Sequence, residues 1–263
     1  SAHHDVTVFE ADDRIGGHTH TIDVVGADGR SRAVDTGFIV YNERNYPRFT
    51  ALLQRLGVAS QPTTMSFSVR CERSGLEYSS EALFAQRRNA LRPSHWRMLL
   101  EIVRFHRLAP RLLEAGDDSL ELGRFLREKR FSRGFIDHFV VPMGAAIWST
   151  DPAAMMRFPA AYFVRFFRNH GLLSVSGQPR WRVIRGGSKE YLEPLARPFR
   201  AAIRTGTPVG AVHRSAAGVG VETAGVGREP FDHVVFACHA DQALRLLAAP
   251  RAEEIGILGA LRY

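Results

Sequence analysis

A long helical stretch interrupts two strand-bearing flanks, and this arrangement limits the fold more than any other feature of the chain. From Ser80 to about Gly171 the apolar residues follow helical spacing, with breaks expected at Pro93, Pro110, Gly116, Pro142 and Pro152. The flanks read differently. Asp5 to Glu10 is a short β-branched strand, and Thr21 to Val25 and Ser31 to Val34 surround the turn Gly26-Ala27-Asp28-Gly29 as a hairpin would. Phe49, Leu52, Leu53 and Leu56 form one helix that Gly57 stops, and Ser66 to Tyr78 reads as a second hairpin around Arg73-Ser74-Gly75. Strand-like patterns return at Trp181 to Ile184, Ala211 to His213, Val219 to Thr223 and Phe231 to Ala237, with helices starting at Ser188 and Asp241. The outer segments therefore read as one α/β domain split by the helical insertion. The chain carries no internal repeat and no low-complexity segment.

With 45% apolar and 24% charged residues in 263, the chain can bury one large core or two unequal ones. No run reaches the roughly 18 apolar residues of a membrane span, and the start lacks the pattern of a signal peptide, so a cytoplasmic location is expected. Cys71 and Cys238 cannot build a disulfide framework and read as reduced, structural thiols. The net charge of +8 comes from scattered arginines, Lys129 and Lys189 being the only lysines, and no nucleic-acid-binding motif accompanies it. Attraction to anionic lipid or to an anionic cofactor suits that charge better than nucleic acid does.

Three stretches carry chemistry. In Val6-Thr7-Val8-Phe9-Glu10 a carboxylate closes a strand, the position from which dinucleotide folds hold the ribose hydroxyls of an adenosine. Arg14-Ile15-Gly16-Gly17 follows; paired glycines let backbone amides approach a pyrophosphate, and the arginine supplies charge-assisted hydrogen bonds. Taken alone, the same residues are a strand and a glycine turn. Arg185-Gly186-Gly187-Ser188 leads into a helix and suits either anion binding or simple capping by Ser188. Thr207 to Val212, Gly218 to Glu222 and Phe231 to Ala237 suit a small meander whose last, nearly all-apolar strand returns to a buried parallel sheet.

In their order and spacing these pieces resemble the flavin-containing amine oxidoreductase family, of the amine oxidase and phytoene desaturase type, along nearly the whole chain. Glu10 to Thr19, E-A-D-D-R-I-G-G-H-T, is similar to that family's E-A-x-x-R-x-G-G-R-x segment, and Asp35-Thr36-Gly37 to its D-x-G segment. Arg185 to Ser188 and the Val209 to Val212 step resemble later cofactor-contacting elements. Gly37 to Asn42, G-F-I-V-Y-N, and Asn169 to Leu173, N-H-G-L-L, are similar to a bacterial subgroup known only as predicted NAD/FAD-binding proteins. The resemblance implies FAD as cofactor. It implies ribose contact by Glu10, pyrophosphate contact by Arg14, Gly16 and Gly17, and adenine contact by the backbone of Val209. His18 and Thr19 extend the pyrophosphate segment, His18 standing where relatives commonly carry arginine. Gly37, Phe38, Ile39, Val40, Tyr41 and Asn42 would line the flavin, and Gly186, Gly187 and Ser188 would complete the site. Only nine residues precede Glu10, whereas the glycine-rich fingerprint lies about 20 residues before such a carboxylate. The chain is therefore expected to be cut short at both ends, to hold FAD weakly and to be inactive by itself. No catalytic residue is assigned.

Other constellations point elsewhere. His18-Thr19-His20 offers two imidazoles to one side of a strand, but no carboxylate or cysteine completes the set, so no metal is expected. Neighbouring strand residues face opposite ways, so Cys238 and His239 cannot share a proton, and Cys238 reads as a core thiol. Trp96 to Leu113 combines Leu99, Leu100, Ile102, Val103, Leu112 and Leu113 with Arg97, Arg104, Arg107 and Arg111. It reads as an amphipathic helix covering a core, with peripheral membrane contact as the alternative. Tyr162, Phe163, Phe166 and Phe167 read as core.

The expected architecture is an FAD-binding, Rossmann-like (doubly wound) α/β domain from residues 1–60 and 175–263, split by a mostly helical substrate or cap domain with a β-hairpin over 61–174. The expected activity is hydride abstraction from a C–H bond of an amine or of an unsaturated lipid or isoprenoid-like molecule. The apolar, arginine-rich insertion tilts the choice to the lipid. The alternative is a non-redox FAD- or nucleotide-binding or lipid-escort protein of the same fold. Expected partners are a small-molecule or lipid substrate and no nucleic acid.

Overall fold

The computed structural model describes residues 4–174 and 177–261. They divide into two compact units, Ser1–Ile39 with Leu53–Ala59 and Ile184–Tyr263, and Val40–Leu52 with Ser60–Val183.

In the first unit, the strand Val8–Phe9 runs parallel to Ile203–Arg204, with Val8 opposite Ile203 and Phe9 opposite Arg204. A parallel pair from opposite ends of a sequence needs a long crossover. The strand is shorter than the expected Asp5 to Glu10. Thr21–Val25 and Ser31–Asp35 form the expected antiparallel hairpin, Thr21 opposite Asp35. Backbone bonds from Thr36 to His20 (2.9 Å) and from Phe38 to His18 (3.3 Å) prolong it beyond the ladder. Val209–Ser215, Gly218–Thr223 and Gly227–Phe231 make an antiparallel meander with an irregularity between Val209 and Ala211.

The segment from Phe231 to Ala237 departs from expectation. Its strand character ends at Phe231, and 232–237 is extended backbone without a ladder. Val234 and Phe236 turn inward toward Val212, Ala243 and Leu247, while Val235 is 88% exposed. The side chains alternate as in a strand, but a strand also needs a neighbour to take its backbone groups, and none of the described strands lies beside it. The following helix, Ala240–Leu246, is capped by His239, whose N–H donates to Gln242 Oε1 at 3.1 Å. Cys238 is exposed rather than a core thiol, because the chain leaves extended backbone for this helix there.

The second unit is built on the helix Pro93–Ala115, which buries Met98, Phe105, Ala109 and Leu112 on one face. Against it pack Leu122–Glu128, through Leu122, Phe125 and Leu126, and Ala160–Asn169, through Ala160, Phe163, Val164 and Phe167. Phe105 sits at the centre, fully buried, with the rings of Phe125, Phe131, Phe135, Phe163 and Phe167 at centroid distances of 5.7–6.5 Å. Of the aromatic run, Phe163 and Phe167 are core, Phe166 is partly buried and Tyr162 is half exposed. The hairpin Ser68–Cys71 with Leu76–Ser79 packs Val69, Leu76 and Tyr78 against Met98.

Pro110 does not break its helix as expected. An interior proline forfeits one backbone hydrogen bond, but Ala109 and Leu112 beside it are buried, and their packing outweighs the loss. Pro142 likewise lies inside a continuous run, because the π-helical turn Ile136–Val140 leads directly into the helix Val141–Trp148.

Truncating Phe105 to alanine removes the ring that its aromatic neighbours share. Phe105→Ala is expected to lower the unfolding free energy of this unit by about 3–5 kcal/mol, read from urea denaturation followed by circular dichroism. A loss below about 1 kcal/mol would show that the helices can close over the gap.

Candidate cofactor-binding site

The site grows from the strand Val8–Phe9 in the first unit. Glu10 follows it; its N–H donates to Arg204 O at 2.9 Å and its carbonyl accepts from Thr207 N–H at 2.8 Å. Gly206 N–H donates to Asp12 O at 2.7 Å, so 203–207 runs beside 8–12 and enters the meander at Val209 two residues later. Glu10 and Val209 are thereby held on neighbouring backbone. Glu10 Oε1 accepts from Asp12 N–H at 3.0 Å and turns the chain into the loop. Among the described residues nothing donates to its second oxygen.

Arg14 stands in that loop. Its Nη2 is 3.9 Å from Asp12, while its Nη1 is buried with no hydrogen-bond partner. A buried guanidinium nitrogen without an acceptor is costly, and an anion would supply the missing acceptor. Beyond it, no atom lies within 4 Å of the place where a side chain on Gly17 would begin, so the backbone is open to a close ligand. An orphaned cationic donor beside open glycine backbone fits the diphosphate of FAD.

The other glycine motifs are tied to the hairpin that follows this loop, the Gly186-Gly187 turn through Asp35 and Gly37 through its close approach to His18. One carboxylate oxygen, Oδ1, accepts from Thr21 Oγ1 at 2.6 Å, Ser188 N–H at 2.8 Å and Ser188 Oγ at 2.9 Å. Lys189 N–H donates to Thr21 Oγ1 at 2.9 Å, and Lys189 Nζ bridges both oxygens of Asp23. Gly187, with φ +93°, lies so close that a Cβ would stand 2.4 Å from Thr21 Cγ2. Gly37 is equally constrained, because its Cβ would fall 1.7 Å from the carbonyl oxygen of His18. Each position admits only glycine, which brings the Gly186-Gly187 turn against the hairpin and the Gly37 backbone against His18.

Ser188 does not cap its helix. It opens the 3₁₀ turn Ser188–Tyr191, with Gly187 at the cap position and its hydroxyl spent on Asp35. His18 packs edge-on against His239 with centroids 5.7 Å apart, and Thr19 Oγ1 is 2.6 Å from the Tyr191 hydroxyl. Burial raises the pKa of that hydroxyl above the ordinary tyrosine range. His20 Nδ1 is 3.0 Å from Thr36 Oγ1.

Glu10, Arg14, Gly16, Gly17, His18, Thr19, Gly37, Phe38, Ile39, Gly186, Gly187, Ser188 and Val209 thus share the first unit, whereas Val40, Tyr41 and Asn42 belong to the second. There Tyr41 donates to Ser60 Oγ at 2.8 Å, and fully buried Asn42 accepts from Asn45 N–H at 2.8 Å. Sequence reading passed over Thr21 and Tyr191, which reach Ser188 and Thr19 more than a hundred residues away and leave no local pattern.

One thiol departs from a purely structural role. Cys71, partly exposed at the end of its hairpin strand, is pulled down to about 7 by the Ser74 hydroxyl, then the Ser74 backbone and His138. Burial pushes Cys238 the other way.

A mixed α/β unit with a strand-closing carboxylate, an orphaned arginine and three glycine turns is the frame of an FAD-binding fold. The chain belongs to the flavin-containing amine oxidoreductase family, which its residues 1–261 match, and its cofactor is FAD. No curated protein matches it. Among solved structures it is similar to a putrescine oxidase bound to putrescine, at 18% identity and TM-score 0.71, covering 98% of this chain and 58% of that one. It is also similar to cyclohexylamine oxidase from Brevibacterium oxydans IH-35A, at 19% identity and TM-score 0.71, covering 96% and 57%. A fatty acid isomerase from P. acnes that produces CLA is similar at 16% identity and TM-score 0.65, again over 96% and 57%. At these identities the likeness concerns the fold, and the chain spans less than two thirds of each of these proteins.

Asp35→Ala leaves the buried N–H and hydroxyl of Ser188 without an acceptor and is expected to cost about 2–3 kcal/mol of stability, measured by chemical denaturation. An unchanged midpoint would mean that solvent reaches Ser188. For the thiols, the lowered Cys71 pKa makes its thiolate abundant above about pH 7. Iodoacetamide should label Cys71 well before Cys238 at neutral pH, with a rate that climbs through pH 7. Equal labelling of the two, followed by mass spectrometry, would remove Ser74 and His138 as activating groups.

Proposed function

We propose that the protein is an FAD-dependent oxidoreductase that abstracts hydride from a C–H bond of an amine or of an unsaturated lipid or isoprenoid-like substrate. The observation that carries the reading is the buried Arg14 Nη1 without an acceptor, set between a strand-closing carboxylate and open glycine backbone. Family membership implies the redox chemistry, for which FAD, when bound, would supply the hydride acceptor. The remaining tasks fall to the chain itself. Glu10 holds ribose hydroxyls, Arg14 and the amides of Gly16 and Gly17 neutralise the diphosphate, and Val209 borders the adenine. Asp35 keeps the Gly186-Gly187 turn and the Gly37 backbone in place, so that the cofactor meets a preformed surface.

Residues 1–60 and 175–263 serve as the FAD-binding domain and 61–174 as the substrate domain. The choice of substrate follows two lines of support. Among the structural neighbours, putrescine oxidase and cyclohexylamine oxidase carry amine substrates in their names, and the isomerase carries a fatty acid. The apolar, arginine-rich composition of the helical insertion, rather than its closed aromatic core, is the second line and favours a lipid-like molecule. No helix among the described residues is long and apolar enough to cross a membrane.

Glu10→Ala is expected to weaken FAD binding by about 1–3 kcal/mol, because ribose hydroxyls lose a charged acceptor, as titration calorimetry would read. Arg14→Ala should weaken it at least as much and make the residual binding less sensitive to salt. Unchanged affinity in both variants would move the cofactor elsewhere. A bound flavin whose absorbance neither amines nor unsaturated lipids bleach would favour a binding or escort role over catalysis.

A further inference from the structure

The helix Pro93–Ala115 presents two faces of different character. At 3.6 residues per turn, Trp96, Leu100, Val103, Arg104, Arg107 and Arg111 fall on one stripe, opposite Met98, Phe105, Ala109 and Leu112 in the core. The stripe lies open: Leu100 is 69% exposed, Trp96 48% and Val103 43%. Leu100 and Val103 line a shallow groove with Arg104, Arg107, Leu108 and Arg111. Just before the helix Leu91 is 86% exposed, and the Phe84 ring packs tilted against Trp96 with centroids 5.1 Å apart. Isolated exposed apolar side chains are ordinary in proteins, but a contiguous patch rimmed by one sign of charge is not.

The charge on this face has little internal compensation. Arg107 and Arg111 form no ion pair among the described residues. Arg104 donates to Lys129 O and lies over the Phe131 ring, which orients it without neutralising it. Of the two acids on the helix, Glu101 is buried, accepts from Ser132 and pairs with Arg97, while Glu114 lies on the stripe one turn beyond Arg111, one acid against three arginines.

We propose that this face docks on an anionic lipid membrane, lying in the headgroup region with Leu91, Trp96, Leu100 and Val103 inserted and the arginines against lipid phosphates. The chemistry of the stripe selects this occupant. Leu91, Leu100 and Val103 gain from an acyl boundary and give a base no ring to stack on, so the largely aliphatic face favours lipid over nucleic acid although Trp96 lies at its end. Trp96 is the aromatic that suits the interface, with its Nε1 already donating to Ala90 O at 2.9 Å. A second copy packed face to face would set arginine against arginine. No described helix is long and apolar enough to span a bilayer, so the contact is parallel to the surface. This reading is independent of the reaction proposed above and stands whatever the substrate is.

Vesicle co-sedimentation tests it, using the whole chain with phosphatidylcholine vesicles either alone or containing about a third phosphatidylglycerol. Binding is expected only to the anionic vesicles, with a blue shift in tryptophan emission. Raising salt from about 0.1 M to about 0.5 M should lower the bound fraction several-fold, since the Debye length shrinks. Leu100→Gln, and separately the pair Arg107→Gln with Arg111→Gln, should each weaken binding about tenfold or more. These side chains are exposed, and circular dichroism should show unchanged folding. Equal binding to neutral vesicles, no binding to anionic ones, or binding untouched by either substitution would overturn the proposal. So would tight capture of a single-stranded oligonucleotide in place of vesicles, or concentration-dependent dimers abolished by Leu100→Gln.

Discussion

The carboxylate of Asp35 ties together parts of the first unit that the sequence keeps far apart. It closes the hairpin of Thr21 and takes both the amide and the hydroxyl of Ser188, 153 residues away. An ionised carboxylate forms stronger hydrogen bonds than a neutral acceptor, and the fully buried Ser188 has no competing access to water. Because Gly187 and Gly37 flank this junction at distances that exclude any Cβ, the backbone is fixed on both sides of it. The proposed cofactor surface would depend on that fixed backbone more than on any single side chain that would touch FAD.

Preorganisation of this kind explains why the site is rich in glycine and poor in reactive groups. Binding a large anion requires donors that are already in place, since ordering them on binding would subtract from affinity. Arg14 is held with one nitrogen near Asp12 and the other without a partner. The arginine is thus oriented by one acceptor and left one hydrogen bond short.

Much of the local structure was legible in the sequence. Both hairpins follow from glycine-containing turns, the first between β-branched runs, and the Pro47–Leu56 helix from apolar spacing ended by Gly57. The glycine motifs were visible for the same reason, since a backbone conformation that excludes other residues marks itself in the sequence. What failed depended on partners elsewhere. The apolar run to Ala237 had strand chemistry but no neighbour, Pro110 was retained by burial on either side, and Ser188 exchanged a local cap for a distant carboxylate. Cys71 was read as a reduced, structural thiol because the groups that lower its pKa, Ser74 and His138, come from a turn and from a helix 67 residues on.

The unladdered stretch 232–237 has a consequence for how the protein behaves in company. It offers Val234, Val235 and Phe236 on extended backbone whose donors and acceptors are not engaged in a sheet, with Val235 pointing to solvent. Such a strip is a template for any other extended chain, including its own copy from a second molecule. Concentration therefore works against solubility at this strip, and a charged residue at position 235 would act as a gatekeeper there without entering the core.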